Sequence, residues 1–374
     1  MAGIVSYHAR HSPKQSGIAQ DIRRRIMSGE YPPGAQLPSV ARLQERYGVT
    51  PLTVRRAVGY LSEHGFLFTK ARAGIYVSPD PPCLSNFGFV RPFLSAPSQF
   101  VTAVENELRM LCDAGLSPSG IRRRFRVFEE VDCSSQQAEH HHRELVSAVE
   151  GGTVAGLFFY RAPYRFSGTA VLRNPTMPRV TMGEEPMPGM IVVSLLPGFY
   201  GHCLKYLAAR GRRRVAIITI ANREDGFVQE RITEVRAHGL TTHRRWVQGV
   251  SPDVLRWATN VAELLLDSGG ANRPDAIIID DDNLVPAATA GIAAAGVRVP
   301  DDLDVVAHTN FPWPTPSAVP VARLGTDVRR LIRAVVNLIE RQRAGKDVPD
   351  IVELPTCSEA EVLPPGTDGN CTVV

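Results

Sequence analysis

Lysine all but disappears after the first eighty residues of this 374-residue chain, leaving only Lys205 and Lys346. An enzyme that holds its cofactor as a Schiff base needs a lysine set in a large domain. Lys205 falls on an amphipathic helical stretch and Lys346 follows Gly345 in a loop, so neither is placed for that chemistry. Cysteine is sparse too: the six, at 83, 112, 133, 203, 357 and 371, stand singly with no CxxC pair. That spacing excludes a disulfide framework and a zinc site, and predicts reduced thiols. No apolar run approaches the roughly eighteen residues that span a bilayer, and the N-terminus MAGIVSYHARHSPKQS lacks a basic-then-apolar signal layout. A cytoplasmic protein without a membrane partner is expected. Neither a Gly-x-Ser-x-Gly elbow nor a Gly-rich phosphate loop occurs, so no enzyme and no cofactor are expected. His140-His141-His142 does not form a metal site, because consecutive helical residues point about 100° apart and cannot converge on one ion.

What the chain has is a basic beginning. Residues 1–78 hold eleven Lys and Arg against four acids, a net +7, in a chain whose total is +4. The remainder is therefore slightly acidic, and a basic module on such a body suits contact with phosphates. Inside the basic module, Val54, Ala57, Val58 and Leu61 recur at helical spacing and predict a buried stripe over 51–64. Thr53, Arg56 and Tyr60 form a second stripe, expected to be exposed, with Arg55 beside it. Thr50 is a suitable N-cap, Pro51 fits the first helical position, and Gly65 ends the helix. At about 1.5 Å per residue the helix is roughly 21 Å long, enough to lie in a DNA major groove. A shorter helix from Ser39 buries Val40, Leu43 and Tyr47, and Gly48-Val49-Thr50 turns it into the longer one. FLFTKARAGIYV (66–77) then reads as a hairpin with a basic tip, which makes the whole a winged helix-turn-helix.

These residues resemble the gluconate-repressor (GntR) family of bacterial transcription regulators. The likeness rests on Ile18–Ile26, on YPPGAQLPS (31–39), on YGVTPLTVRRAV (47–58) and on Gly74-Ile75-Tyr76-Val77. The chain departs from the usual family pattern at Ala41 and Pro51, where Arg is common, and at Arg72, where Gly is common. DNA binding is implied, but the family's usual operator does not carry over. The DNA-contacting residues expected are Ser39, Arg42, Thr50, Thr53, Arg55, Arg56, Tyr60, Lys70 and Arg72.

Ser78-Pro79-Asp80-Pro81-Pro82 predicts a stiff, extended connector. The expected division is a flexible arm at 1–15, the DNA-binding domain at 16–78, a linker at 79–83, a larger domain at 84–360 and a disordered tail at 361–374. Within 84–360, apolar runs alternate with amphipathic stretches, which predicts parallel sheets covered on both faces. Strands are expected at 86–90, 125–128, 156–160, 191–193, 215–220, 244–247, 276–279 and 304–307. Helices are expected at 99–114, 134–149, 198–210, 226–238, 253–267 and 284–295. Leu207–Ile218, Arg223–Phe227, Arg273–Ile278, Asp282-Asn283 and Gly296–Val306 are similar in order and spacing to the effector domain of lactose-repressor (LacI) regulators and type I periplasmic binding proteins. The combination resembles the arabinose-repressor group. It implies an α/β fold class, a winged helix-turn-helix followed by a two-lobed parallel α/β domain, with a ligand between the lobes and a homodimer.

In such lobes, ligands sit beyond the carboxyl ends of strands. The residues there are Arg91, Phe93, Tyr160, Arg161, Arg223, Asp282, Thr309 and Asn310. Acids that hold sugar hydroxyls in the resembled proteins are replaced by Ser194-Leu195 and Thr309, which shifts the expected effector toward a less hydroxylated, more apolar or anionic molecule. Trp313 either walls the ligand or packs at a dimer surface. The expected function is a transcription regulator, a repressor whose affinity for double-stranded operator DNA is changed by a small molecule, sugar-like or anionic. Alternatives are a ligand-independent DNA-binding regulator and an enzyme fused to a DNA-binding head.

Overall fold

The computed structural model describes residues 12–92, 98–115, 120–130, 136–221, 226–251, 253–267 and 273–362, without the side chains of 130, 136–142 and 165. Two compact units emerge. One comprises residues 1–93, 108–193 and 335–351; the other comprises 94–107, 194–334 and 352–374.

The first unit opens with α1 (Pro13–Met27), whose N-cap is Ser12. The helix therefore starts inside the stretch expected as an arm, and residues 1–11 lie outside the described residues. Then come α2 (Val40–Tyr47), α3 (Pro51–Glu63), β1 (Leu67–Lys70) and β2 (Gly74–Val77). Ile18, Ile22 and Ile26 of α1 meet Leu43 of α2 and Val54, Ala57, Val58 and Leu61 of α3 in one core. Fully burying an aliphatic side chain of this size contributes roughly 1.5–3 kcal/mol, so the stripe fixes how α3 is turned. β1 and β2 pair antiparallel, Leu67 opposite Val77 and Lys70 opposite Gly74. Backbone bonds from Leu37 to Ile75 and from Val77 to Ala35, 2.8 and 2.9 Å, fasten the hairpin to the segment before α2.

The connector is not extended to its end. Pro82–Ser85 forms the single-turn α4, and all four residues are buried, Cys83 and Leu84 within the core of the head. Proline is tolerated at a helix's first position, where no N–H is needed, so the proline run ends by starting a turn. Burial pushes the Cys83 thiol up to about 12. Ile121 of the following lobe joins the same core, Asp80 accepts a 2.7 Å bond from the Arg122 N–H, and Arg343 reaches the Leu84 carbonyl at 3.3 Å. Arg23 is 6 % exposed, lies 5.9 Å from the Phe66 ring centre and donates to the carbonyl of Gly151.

The chain continues through β3 (Asn86–Pro92), α5 (Gln99–Asp113), β4 (Arg124–Glu130), α6 (Gln136–Glu150), β5 (Gly156–Phe159), α7 (Ala170–Arg173), β6 (Arg179–Met182) and β7 (Ile191–Leu195). It goes on through α8 (Phe199–Ala209), β8 (Val215–Ile220), α9 (Phe227–Ala237), β9 (Val247–Val250), α10 (Arg256–Asp267), β10 (Ala276–Ile279), α11 (Val285–Ala294), β11 (Asp304–Phe311), β12 (Ala322–Asp327), α12 (Val328–Arg343), β13 (Ile351–Leu354) and β14 (Cys357–Ser358). One six-stranded sheet runs β13-β7-β6-β5-β3-β4 and the other β14-β12-β11-β10-β8-β9. The strand expected at 244–247 is displaced: Arg244–Trp246 is a 3-10 turn with Trp246 buried, and the strand follows it. Among the described residues no helix is long and apolar enough to cross a membrane.

In the second unit, β8, β10, β11 and β12 are parallel. Strand residues alternate between faces. Val305 and Ala307 pack with Ala258, Ala262, Val285 and Ala288 of α10 and α11, whereas Val306 packs with Phe199, Cys203 and Leu204 of α8. Gly325 is required on β12, since a Cβ there would stand 1.8 Å from the Thr309 carbonyl oxygen.

Candidate DNA-contacting face and small-molecule site

The head presents its cations through helix ends fixed by local chemistry. Ser39 accepts from the Arg42 N–H at 3.3 Å and starts α2; Gly48 ends it at φ 59, a left-handed conformation that glycine takes without strain. Thr50 accepts from the Thr53 N–H at 3.3 Å, and the two hydroxyls lie 2.9 Å apart, so Thr53 belongs to the cap as well as to the outer face of α3. Arg42, Arg55, Arg56 and Arg72 are exposed, and among the described residues none has an ion-pair partner. Lys70 is exposed at the hairpin tip, its ammonium 4.8 Å from the Tyr76 ring centre and 5.6 Å from that of Phe68. Arg72 holds φ 62, which accounts for glycine being common there in the resembled family.

One expectation about this face changes. Tyr60 is not exposed: it is 8 % accessible, belongs to the head's core and lies against His64 with ring centres 4.0 Å apart and the planes tilted by 36°. Its position borders the apolar stripe, and a large ring gains more by leaning onto Ala57 and Leu61 than by standing in water. The Arg23-Arg24-Arg25 run adds little free charge. Arg23 is buried, and Arg24 and Arg25 both bond Asp21, with Arg25 reaching Glu30 as well.

In the first unit, Arg91 is taken up by Glu129, opposite it in the sheet, at 2.7 Å. Tyr160 is half-buried just past β5 and its N–H bonds the Val90 carbonyl at 2.8 Å; Arg161 is exposed. Phe93 and Arg223 lie outside the described residues.

In the second unit, the carboxyl ends of β8, β10 and β11 bring together a polar cluster. Asp280 Oδ2 accepts from the Thr219 hydroxyl at 2.6 Å and from the Tyr200 hydroxyl. Asp281 Oδ1 accepts from the Asn283 backbone and side-chain N–H groups at 2.9 and 2.7 Å. Asp282 is 2 % exposed and accepts from the Asn310 amide. Burial pushes the Asp282 carboxyl up to about 7, the neighbouring Asp281 charge adds to it, and the bonds from Asn310 and from backbone N–H groups offset part of the rise. Asn310 is fully buried, yet its Oδ1 has no hydrogen-bond partner among the described residues. The same holds for both ring nitrogens of His308, which packs edge-on to Phe199 at 5.7 Å between ring centres. Burial lowers His308 to about 4, so the imidazole is neutral at neutral pH.

Thr309 does not join this cluster. It points to the other sheet face, where Arg323 approaches its hydroxyl at 3.4 Å. Trp313 donates to Glu107 at 2.9 Å, and Arg329 stands 3.4 Å from the same carboxylate. Asp280, Asp281, His308 and Tyr200 were not among the sequence candidates. The first two had a legible signal, an acidic run directly after an apolar strand; His308 had none, because its isolation depends on which face it takes. Among the described residues no group of three His, Cys, Asp or Glu side chains could hold a metal ion.

Residues 14–77 match the family described as bacterial regulatory proteins, gntR family, and residues 204–359 match the periplasmic binding protein-like domain. The HTH-type transcriptional regulator YieP of Escherichia coli (strain K12), itself uncharacterized, is 37 % identical over 73 residues, 20 % of this chain and 30 % of that protein. The match thus spans less than a third of that relative's length. The arabinose metabolism transcriptional repressor of Geobacillus stearothermophilus is 23 % identical over 380 residues, covering 92 % of this chain and 95 % of the repressor. A LacI family transcriptional regulator from Lactobacillus casei, solved with bound sucrose, superposes with a TM-score of 0.53 at 19 % identity over 74 % of this chain and 98 % of that one. That likeness is one of fold. The chain therefore joins a gntR-type head to a periplasmic-binding-protein-like body.

Proposed function

We propose that this gntR-type head and periplasmic-binding-protein-like body make a transcription regulator, a repressor whose hold on operator DNA is set by a small molecule. The observation that carries the reading is the set of uncommitted guanidinium groups on one module: Arg42, Arg55, Arg56 and Arg72, exposed and without ion pairs among the described residues. Helix α3 enters the major groove with Arg55 and Arg56, Thr53 near its start. Lys70 and Arg72 of the hairpin approach the adjacent backbone. Two copies reading two half-sites form the working unit, as in dimeric helix-turn-helix proteins generally. The small molecule binds at the carboxyl ends of β8, β10 and β11, where buried polar atoms await a partner. By linkage, DNA must change the affinity for the small molecule by the factor with which the molecule changes the affinity for DNA. Relatives named as regulators support a binding role over a catalytic one.

The test is selection of genomic fragments by the full chain, followed by anisotropy titration of the selected duplex at several salt concentrations. Binding that is sequence-specific and weakens as salt rises is expected. Arg55→Ala should weaken it by more than about tenfold, as loss of a base or phosphate contact of roughly 1–3 kcal/mol does. No enrichment of any sequence, or an unchanged affinity for Arg55→Ala, would overturn the reading of α3.

A further inference from the structure

The buried atoms at the carboxyl ends of β10 and β11 also say which kind of molecule fits, granted that the small-molecule site lies there. Asp280 Oδ2 has its donors, Thr219 and Tyr200, and Asp281 Oδ1 has its own from Asn283. Asp282 depends on the Asn310 amide and backbone N–H groups, next to another carboxylate and out of water. Asn310, by turning its N–H to Asp282, leaves its Oδ1 buried as an acceptor with nothing to accept. A neutral His308 adds one acceptor and one donor nitrogen. Unsatisfied capacity is therefore mostly acceptor, in a cluster carrying three consecutive carboxyl groups. Arg231 on the neighbouring helix α9, 4.3 Å from the Tyr200 ring centre, pairs with Glu230 and Glu234 at 3.0 and 3.1 Å, and its buried Nε has no acceptor among the described residues.

An anion here would set acceptors against acceptors and add repulsion. A neutral hydroxyl would supply one donor but leave a buried negative charge uncompensated, which is costly. A protonated amine supplies several donors and the missing charge together. We propose that this site takes an organic cation, a small molecule whose ammonium group bonds Asp282 and the Asn310 Oδ1, with its body toward Phe199 and His308. The anionic effector suggested by the two acids replaced at 194–195 and 309 is disfavoured by the acidic run that stands at 280–282.

The experiment uses the full chain and matched probes differing in one group: benzylamine, benzyl alcohol and benzoate; glucosamine, glucose and gluconate; and a wider panel of primary amines and polyamines. Binding is read by calorimetry. At least one amine should bind saturably, with its alcohol and carboxylate counterparts at least tenfold weaker. Asp282→Asn should weaken the amine at least tenfold while the exposed control Asp267→Asn does not, circular dichroism confirming that both fold. The proposal is overturned if no amine binds tighter than about 10 mM, if an alcohol or carboxylate is the tightest member of its set, or if Asp282→Asn binds the amine unchanged. DNA titration separates this outcome from the regulator reading. An amine that binds through Asp282 without altering operator affinity keeps the ligand class and sinks ligand control; specific DNA binding with no amine binding sinks the ligand class and keeps the DNA-binding reading.

Discussion

Asp282→Asn should stabilise the ligand-free second unit, and by an amount that depends on pH. The native carboxyl is raised to about 7, against about 3.9 for an aspartate in an unfolded chain. A group with a raised folded-state value makes the native form bind its proton more tightly. Its contribution is therefore most favourable below about pH 4, is lost as pH climbs toward 7, and is a full penalty above that. The rise from about 3.9 to about 7 corresponds to about 4 kcal/mol at neutral pH, and the penalty reached at pH 5 is only about 1.5 kcal/mol. Asparagine keeps the oxygen that accepts from Asn310 and carries no charge, so it escapes this cost. The gap between the variant and the parent should widen by about 2.5 kcal/mol from pH 5 to pH 8, most of it before pH 7. The three tryptophans, Trp246, Trp257 and Trp313, all lie in the second unit, so their fluorescence during urea unfolding reports on it alone. A gap that is flat, or that narrows with rising pH, would refute the placement of a strained carboxyl at 282.

Three other substitutions test separate features. Arg72→Gly should raise the head's stability by up to about 1 kcal/mol, by relieving the left-handed backbone at φ 62, and should weaken DNA binding at low salt; thermal melting and anisotropy would read the two opposite effects. Thr50→Ala removes the α3 cap and should cost about 1 kcal/mol, measured by chemical denaturation. Gly325→Ala drives a Cβ into the Thr309 carbonyl and should cost more than about 4 kcal/mol, seen as loss of folded protein or a collapsed unfolding midpoint.

The sequence was most legible where one period ran uninterrupted. The stripe Val54, Ala57, Val58 and Leu61, and runs such as Ala276–Ile279, folded where their spacing put them. Strands without that signature are not legible. Arg179–Met182 is four residues long and opens on a charge, and Ala322–Asp327 mixes Arg, Gly and Asp among few apolar residues. Missing the latter hid the helix that follows it, although Val328, Leu331, Ile332, Val335 and Val336 repeat at helical spacing. At the candidate site, Asp282 could be found because strand ends are where ligands bind. The solitude of Asn310 Oδ1 and His308 could not be found that way. It arises from two even-numbered residues sharing a sheet face, and from one amide turning toward Asp282.

The three prolines after residue 78 suggest interchangeable parts joined by a stiff thread, and regulators assembled from heads and bodies invite the making of chimaeras. The Arg23 guanidinium argues for a less modular junction. It is buried, and its carbonyl acceptor, Gly151, belongs to the body. A head transplanted without that turn would carry a cation into a foreign seam with the acceptor left behind, at a cost of several kcal/mol. A working graft would have to bring the Gly151-Gly152 turn along or replace Arg23 with an apolar residue. Exchange of heads among such proteins is then limited less by the length of the thread than by the side chains that cross the joint, Arg23 among them.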